Sequence, residues 1–179
     1  MLEGAVLYDR DGGSIDVIAS GGRDVRARIA QSFADNMLCL KGTVRPVAAR
    51  KFSLERLRQQ FPFDTDAADG IKAVQVTLIR LAHVGGRYER VTIEVDPADR
   101  VDIWTRSRQW FGDTNPLIRP EWRVTHAAVR IVFHPGPSGK HEGIVKIELR
   151  APNGSNLRDQ MQRHQIISQK YLARWGLVA

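Results

Sequence analysis

Cysteine is almost absent from this chain of 179 residues, and its scarcity excludes one class of protein at once. Cys39 is the only cysteine, so a scaffold held by disulfides is ruled out. No run of the sequence approaches the roughly 18 consecutive apolar residues of a membrane span. The first residues also lack the basic and apolar regions of a signal peptide. Together these absences predict a cytoplasmic location and no membrane partner.

The composition is that of a folded domain. Hydrophobic residues make up 42% of the chain and charged residues 26%, with both signs of charge represented. Such a mixture argues against intrinsic disorder. A chain of this length fits one domain, and we predict a single α+β domain over residues 1–179. Because the first predicted strand begins almost at Met1, the sequence leaves open that the chain is a domain of a longer protein.

Two strands followed by a helix are predicted three times along the chain. The sub-units are residues 1–42, 73–112 and 121–179, joined by connectors 43–72 and 113–120. Each sub-unit has two short runs with period-2 alternation around a turn, which indicates an antiparallel hairpin. We therefore predict three β-hairpin-plus-helix (ββα) units in a mostly antiparallel sheet, with the helices packed on one face. The sequence does not distinguish one continuous sheet from a split one.

Helix boundaries follow from the spacing of apolar residues and from capping signals. The three helices are predicted over about 23–38, from Asp96–Asp99 to about Trp110, and over about 157–175. Thr43–Val47 is predicted to be a short edge strand, since Pro46 cannot donate to a central ladder. Cys39 follows the first helix, and we expect it to be a small buried residue.

Positive charge is concentrated in the last third of the chain. The formal net charge is +7, from 21 arginines and 6 lysines against 20 acidic residues. Residues 111–179 contain ten basic and five acidic side chains, which gives +5 for that segment. A basic segment of this kind indicates an anionic partner, such as nucleic acid or a phosphate-bearing ligand.

Arginines near the predicted helix starts form a first candidate site. Helix N-termini present unpaired N–H groups and a partial positive charge, which together hold anions. If the three hairpins shared one sheet in the same sense, these helix starts would line one edge and form a phosphate-binding rim. The alternative is ordinary capping by neighbouring polar residues. The arginines in question are Arg23, Arg100 and Arg158.

A second candidate site is a basic strip along the third hairpin and its helix. Tyr171 and Trp175 interleave with the strip in sequence, and basic residues with aromatics suit nucleic-acid binding. The alternative is an ordinary solvated helix face with both aromatics in the core. The basic residues of the strip are Lys140, Lys146, Arg150, Arg158, Arg163, Lys170 and Arg174.

The sequence thus favours a non-catalytic binding domain, sensory or accessory, of a regulatory protein. We assign no catalytic residue, metal ligand or cofactor. One alternative is a metal-dependent nuclease using Glu148 with Glu94 or Asp96, although Arg150 stands where such enzymes need a lysine with an adjustable pKa. The other alternative is a protein-interaction or oligomerisation domain, including a homo-oligomer, with Trp104 or Trp110 at the interface.

Overall fold

The protein is an α+β protein. The computed structural model describes residues 4–10, 13–46, 51–86, 88–99, 101–135 and 143–178. Within these ranges the chain forms three α-helices and two antiparallel sheets. It divides into two compact units, Met1–Ala49 and Arg50–Ala179. None of the described helices combines the length and the apolar character needed to cross a bilayer.

The first unit is a hairpin followed by a helix, as the sequence predicts. Strand β1 (Gly4–Asp9) pairs antiparallel with β2 (Ser14–Ala19) in a two-stranded sheet. Helix α1 (Arg23–Asn36) follows. Cys39, just after the helix, is exposed, so its predicted burial is wrong. It adopts a left-handed φ of 52°, a conformation typical of the residues that end a helix.

The second unit contains a five-stranded antiparallel sheet in which the second and third predicted hairpins join. The long pairing of β3 (Ile71–His83) with β5 (Trp122–Phe133) connects them, while the first hairpin has a sheet of its own. The division of the chain into three equivalent ββα units remains a prediction. The strand order is β4-β3-β5-β6-β7, and the strands are β3 (Ile71–His83), β4 (Arg90–Glu94), β5 (Trp122–Phe133), β6 (Ile144–Arg150) and β7 (Gly154–Ser155).

The core of the second unit lies on one face of this sheet. Helices α2 (Ile103–Phe111) and α3 (Gln162–Arg174) supply apolar side chains to it. The predicted connector 43–72 also contributes, because its described residues after position 50 enter the core rather than bridging over it. Fully buried members include Leu57, Ile79, Ile93, Ile103, Ile131, Ile147, Leu149, Tyr171 and Leu172, with Phe52, Leu54 and Trp175 nearly so.

The second predicted helix begins later than the sequence indicates. Residues Asp96–Asp99 form a turn, in which the Asp96 carboxylate accepts a hydrogen bond from the N–H of Ala98 at 2.8 Å. The helix itself starts at Ile103. Its N-cap is Asp102, which accepts a hydrogen bond from the N–H of Thr105 at 2.9 Å. A carboxylate that binds its own backbone in a turn competes with helix formation, which explains the shift.

The third predicted helix is shorter, because polar side chains near its expected start bind β6 instead. Asn156 accepts a hydrogen bond from the Glu148 N–H at 2.8 Å and donates to the Lys146 carbonyl at 2.9 Å. Residues Leu157–Asp159 then form a separate 3-10 turn before α3 begins at Gln162. The predicted edge strand over 43–47 is also wrong for 43–46, which form no strand; Val47 lies outside the described residues.

Candidate functional site

The face of the five-stranded sheet opposite the core carries polar and charged side chains among a few apolar ones. Side chains alternate between the two faces of a strand, so residues between core positions of β6 point away from the core. We call this surface the polar face. Its central members are Gln75, Leu78, Arg80, Thr92, Glu94, His126, Ala128, Arg130, Lys146, Glu148 and Arg150.

Strand pairing arranges these side chains in rows that cross the sheet. The first row runs through Thr92, Arg80, His126 and Arg150, one residue from each of four strands. Side chains directly opposite one another on paired strands have their Cβ atoms about 4.5–5.5 Å apart. The first row therefore holds two arginines immediately beside a histidine.

Two further rows continue the polar face along the strands. The second row contains Glu94, Leu78, Ala128 and Glu148, and the third contains Gln75, Arg130 and Lys146. At about 3.3 Å per residue, the first and third rows are about 13 Å apart along β5. The four central cations Arg80, Arg130, Lys146 and Arg150 are thus spread over three neighbouring strands.

Two of these cations are held by neutral partners. Arg80 Nε donates to the hydroxyl of Thr92 at 3.1 Å, and Arg130 Nη1 donates to the amide oxygen of Gln75 at 2.8 Å. Among the described residues, neither guanidinium forms an ion pair. Both are therefore ordered by hydrogen bonds while their positive charge stays uncompensated, as required of an anion-binding group.

The other two cations share one carboxylate. Lys146 Nζ lies 3.2 Å from Glu148 Oε1, and Arg150 Nη2 lies 3.9 Å from Glu148 Oε2. The lysine and arginine side chains are 55% and 67% exposed, so water weakens both contacts. This trio retains a net positive charge of one.

His126 is the unusual member of the polar face. It is only 8% exposed, and neither ring nitrogen has a hydrogen-bond partner. Leaving a buried polar group unpaired costs about 1–3 kcal/mol. Burial, with Arg150 and Arg80 beside it, lowers the pKa of His126 below its ordinary value, although Glu148 acts in the opposite direction. The imidazole is therefore neutral at neutral pH.

Of the three predicted helix-start arginines, only Arg23 stands at the first position of a helix, α1. Arg158 lies in the 3-10 turn before α3, and Arg100 lies outside the described residues. The start of α2 is capped by Asp102, an acidic residue. The described arginines therefore do not both stand at helix starts, and anion binding by Arg23, Arg100 and Arg158 stays a prediction.

The predicted basic strip is divided between the two faces of the sheet. Lys146 and Arg150 lie on the polar face, whereas α3 packs its apolar side against the core face. On α3, Lys170 and Arg174 are held by carboxylates of Asp66 and Asp69. Arg163 is exposed on α3, Arg158 is exposed in the preceding turn, and Lys140 lies outside the described residues.

The two aromatics of the predicted strip belong to the core. Tyr171 is fully buried and Trp175 is 2% exposed. Their rings stack 5.4 Å apart, and the Trp175 indole donates to the Asp64 carbonyl at 3.1 Å. The interpretation of both as core residues is confirmed, so neither is available to stack on a base.

The geometry is unfavourable to the nuclease alternative. Glu94 and Glu148 do lie in one row, but β3 and β5 separate them, which places their strands about 14 Å apart. Carboxylates that share a metal ion must each approach it to within about 2.6 Å. The described part of the chain contains no group of three His, Cys, Asp or Glu side chains suited to a metal.

Sequence reasoning missed Arg80, His126 and Arg130. The alternation around Arg130, between Val129 and Ile131, already indicated that it lies on the outer face of its strand. No local signal, however, shows which residues of β3 and β6 lie beside a given residue of β5.

Comparison of the chain with models of protein families, with curated proteins and with solved structures finds no match.

Proposed function

We propose that this protein is a non-catalytic binding domain, sensory or accessory to a regulatory protein, whose polar face recognises nucleic acid through its phosphates. The observation that carries the proposal is the grid of Arg80, Arg130, Lys146 and Arg150 across three strands. Phosphate contacts by such cations supply most of the affinity of sequence-independent nucleic-acid binding.

The width of the grid favours a polymer over a small anion. Its first and third rows are about 13 Å apart along the strands, a distance greater than one phosphate spans. Apart from His126, the three rows contain no aromatic side chain, so base stacking contributes little. We therefore expect contact with the backbone and weak preference for sequence.

The test is fluorescence anisotropy with labelled single-stranded DNA and RNA of about 20 nucleotides and a duplex of the same sequence. Salt is varied at fixed pH. We expect binding at low salt. The logarithm of the association constant should fall linearly with the logarithm of salt concentration, because counterions are released on binding. No binding at low salt, or binding that ignores salt, would contradict the proposal.

A matched pair of variants locates the surface. Arg130→Gln removes a charge from the polar face, while Arg163→Gln removes one from α3, which packs on the core side. For single-stranded nucleic acid we expect Arg130→Gln to weaken binding. The slope of log association constant against log salt concentration should become shallower by about 0.7 per lost phosphate contact. Arg163→Gln should bind like the wild type. Equal weakening by both would indicate a diffuse charge effect.

A protein-interaction domain is the second candidate, favoured by one exposed aromatic. Trp110 on α2 is 55% exposed, whereas Trp104 is 8% exposed and donates to the Leu57 carbonyl at 2.8 Å. Large aromatics exposed to water are enriched at interfaces. Light scattering over a dilution series tests this role, and a monomer at every concentration, unchanged by Trp110→Ala, would argue against self-association.

A further inference from the structure

His126 has a hydrogen-bonding capacity that its surroundings do not satisfy. Buried side-chain nitrogens in folded proteins are nearly always paired with protein or water, yet both nitrogens of this ring lack a partner. The neighbours in its row, Arg80 and Arg150, carry only donors. Neither can accept the hydrogen that the neutral imidazole presents. An acceptor is the missing group.

The nearest acidic side chain does not fill this role. Glu148 lies one row away on β6, and its two carboxylate oxygens face Lys146 and Arg150. Among the described residues no side chain supplies this acceptor, which points to a group from outside the described chain. An acceptor that carries negative charge suits the position best, because it lies beside two guanidiniums.

The backbone fixes the direction of His126. Thr125 is an extra residue in β5, since Arg80 pairs with His126 and Leu81 pairs with Val124. The Thr125 hydroxyl donates to the Arg80 carbonyl at 3.2 Å. Bulges of this kind re-aim the next side chain and are common beside functional sites. The bulge in the central strand β5 thus places His126 on the polar face. A site built on such a strand is rigid.

We propose that Arg80, His126 and Arg150 form a phosphate subsite within the polar face: the two guanidiniums bind the phosphate, and movement of the exposed Arg150 side chain lets a phosphate oxygen accept a hydrogen bond from the buried imidazole. The inference rests on the proposed function and names the place where one phosphate is held most specifically. The shared chemistry is a phosphate group, whether from a nucleic-acid backbone or free in solution.

Phosphate at this subsite changes the electrostatics of the histidine. The charged groups that act on the ring are Arg80 on β3 and Arg150, Glu148 and Lys146 on β6; the β4 member of the row is the neutral Thr92. A bound anion offsets the cations that, with burial, lower the pKa of His126. Binding of a phosphodiester, which does not titrate near neutral pH, is therefore expected to tighten severalfold between pH 7.5 and 5.5.

The test observes the ring directly. The chain contains five histidines, and nitrogen NMR with ring-labelled histidine, compared with His126→Gln, assigns the signals of His126. The probes are inorganic phosphate, a dinucleotide with one phosphodiester and no terminal phosphate, and sodium chloride at matched ionic strength. We expect saturable shifts of the His126 signals with both phosphate probes and none with chloride.

The NMR and anisotropy results together distinguish failure of the subsite from failure of nucleic-acid binding. Fixed His126 signals, or equal shifts with chloride, overturn the subsite, and the proposed function survives if oligonucleotides still bind by anisotropy. Shifts with inorganic phosphate but no oligonucleotide binding support a subsite for free phosphate and overturn nucleic-acid recognition. Absence of both effects overturns both.

A second variant keeps the test valid if His126→Gln does not fold. Arg150→Gln alters an exposed side chain of the row and is not expected to disturb folding. It should weaken phosphodiester binding and reduce the gain between pH 7.5 and 5.5. Arg150→Gln with unchanged affinity and unchanged pH dependence would overturn the subsite.

Discussion

The carboxylate of Asp66 and the guanidinium of Arg174 form a bidentate ion pair. Arg174 Nη1 donates to Asp66 Oδ1 at 2.7 Å and Nη2 donates to Oδ2 at 2.9 Å. Lys170 joins them, its Nζ lying 2.6 Å from Asp66 and 2.7 Å from Asp69. Asp66 and Asp69, in the segment before β3, thus hold helix α3 in place through ion pairs. These hydrogen bonds, to Arg174 first and then to Lys170, hold the pKa of Asp66 well below its usual range. Two basic residues of α3 therefore already have anionic partners within the chain.

Replacing the central carboxylate tests this fastening. We expect Asp66→Asn to lower the melting temperature more than Asp159→Asn, an exposed aspartate in the 3-10 turn before α3. Because the pKa of Asp66 is lowered on folding, its stabilisation is present above the unfolded pKa and is lost as pH falls through the folded value. Thermal melts from pH 7 to pH 2 should therefore show a difference between Asp66→Asn and wild type that shrinks with acid. A constant difference would contradict the ion-pair explanation.

The hydroxyl of Tyr171 is a second point of attachment. It donates to Asp69 Oδ2 at 2.5 Å and accepts from the backbone N–H of Asp66 at 2.7 Å. Tyr171→Phe leaves that N–H without its partner, so we expect the free energy of unfolding to fall by about 1–2 kcal/mol. Tyr88→Phe is the control, since Tyr88 is 88% exposed. Urea unfolding measures both, and equal values for the two variants would refute the attachment.

The strands of the second unit were predictable from the alternation of apolar and polar residues along the sequence. In β6, Val145, Ile147 and Leu149 alternate with polar residues and lie buried as predicted. The role of the segment before β3 could not be predicted from the sequence. Its aspartates at 64, 66 and 69 resemble a solvated loop in sequence. Only tertiary contact shows that the carboxylates of Asp66 and Asp69 bind α3 and that the Asp64 carbonyl accepts from Trp175.

The candidate site was predicted only in part. Lys146 and Arg150 were identified because their alternation places them on the outer face of β6. Arg80 and His126 were missed because their neighbourhood depends on the register between β3 and β5, which shifts at Thr125. A one-residue shift moves a side chain to the other face of a sheet. No property of the local sequence records such a shift.

Removing the unpaired imidazole is expected to stabilise the fold. His126→Met replaces it with an apolar side chain that needs no partner, and we expect a gain of about 1 kcal/mol at pH 7. His134→Met, at an exposed histidine, is the control. Chemical denaturation measures both. A large loss of stability in His126→Met would show that the ring has a partner in the folded chain.

The same variant has a pH signature. The pKa of His126 is lowered in the folded chain by burial and by Arg150. Below the ordinary histidine value the unfolded chain therefore binds more protons than the folded one. Wild-type stability should fall as pH drops through that window, and His126→Met should lack this part of the fall. Parallel curves for the two proteins between pH 7.5 and 5 would contradict the lowered pKa.

Glu148 distinguishes binding from catalysis on the polar face. In the binding proposal its carboxylate repels an incoming phosphate and partly neutralises Lys146 and Arg150. Glu148→Gln should therefore tighten oligonucleotide binding, by roughly two- to fivefold at low salt for a partly exposed charge. Asp113→Asn, an exposed acid after α2, removes the same charge elsewhere and should change affinity less.

The nuclease alternative predicts the opposite role for this residue. A carboxylate that binds a catalytic metal is needed for turnover, so Glu148→Gln would abolish cleavage of plasmid DNA with Mg²⁺ or Mn²⁺. We expect no such cleavage by the wild type, because Glu94 and Glu148 lie on strands separated by β3 and β5. Metal-dependent cutting by the wild type that Glu148→Gln loses would make the polar face an active site. Tighter binding by Glu148→Gln without cleavage by either protein would instead identify Glu148 as the group that limits affinity for phosphate.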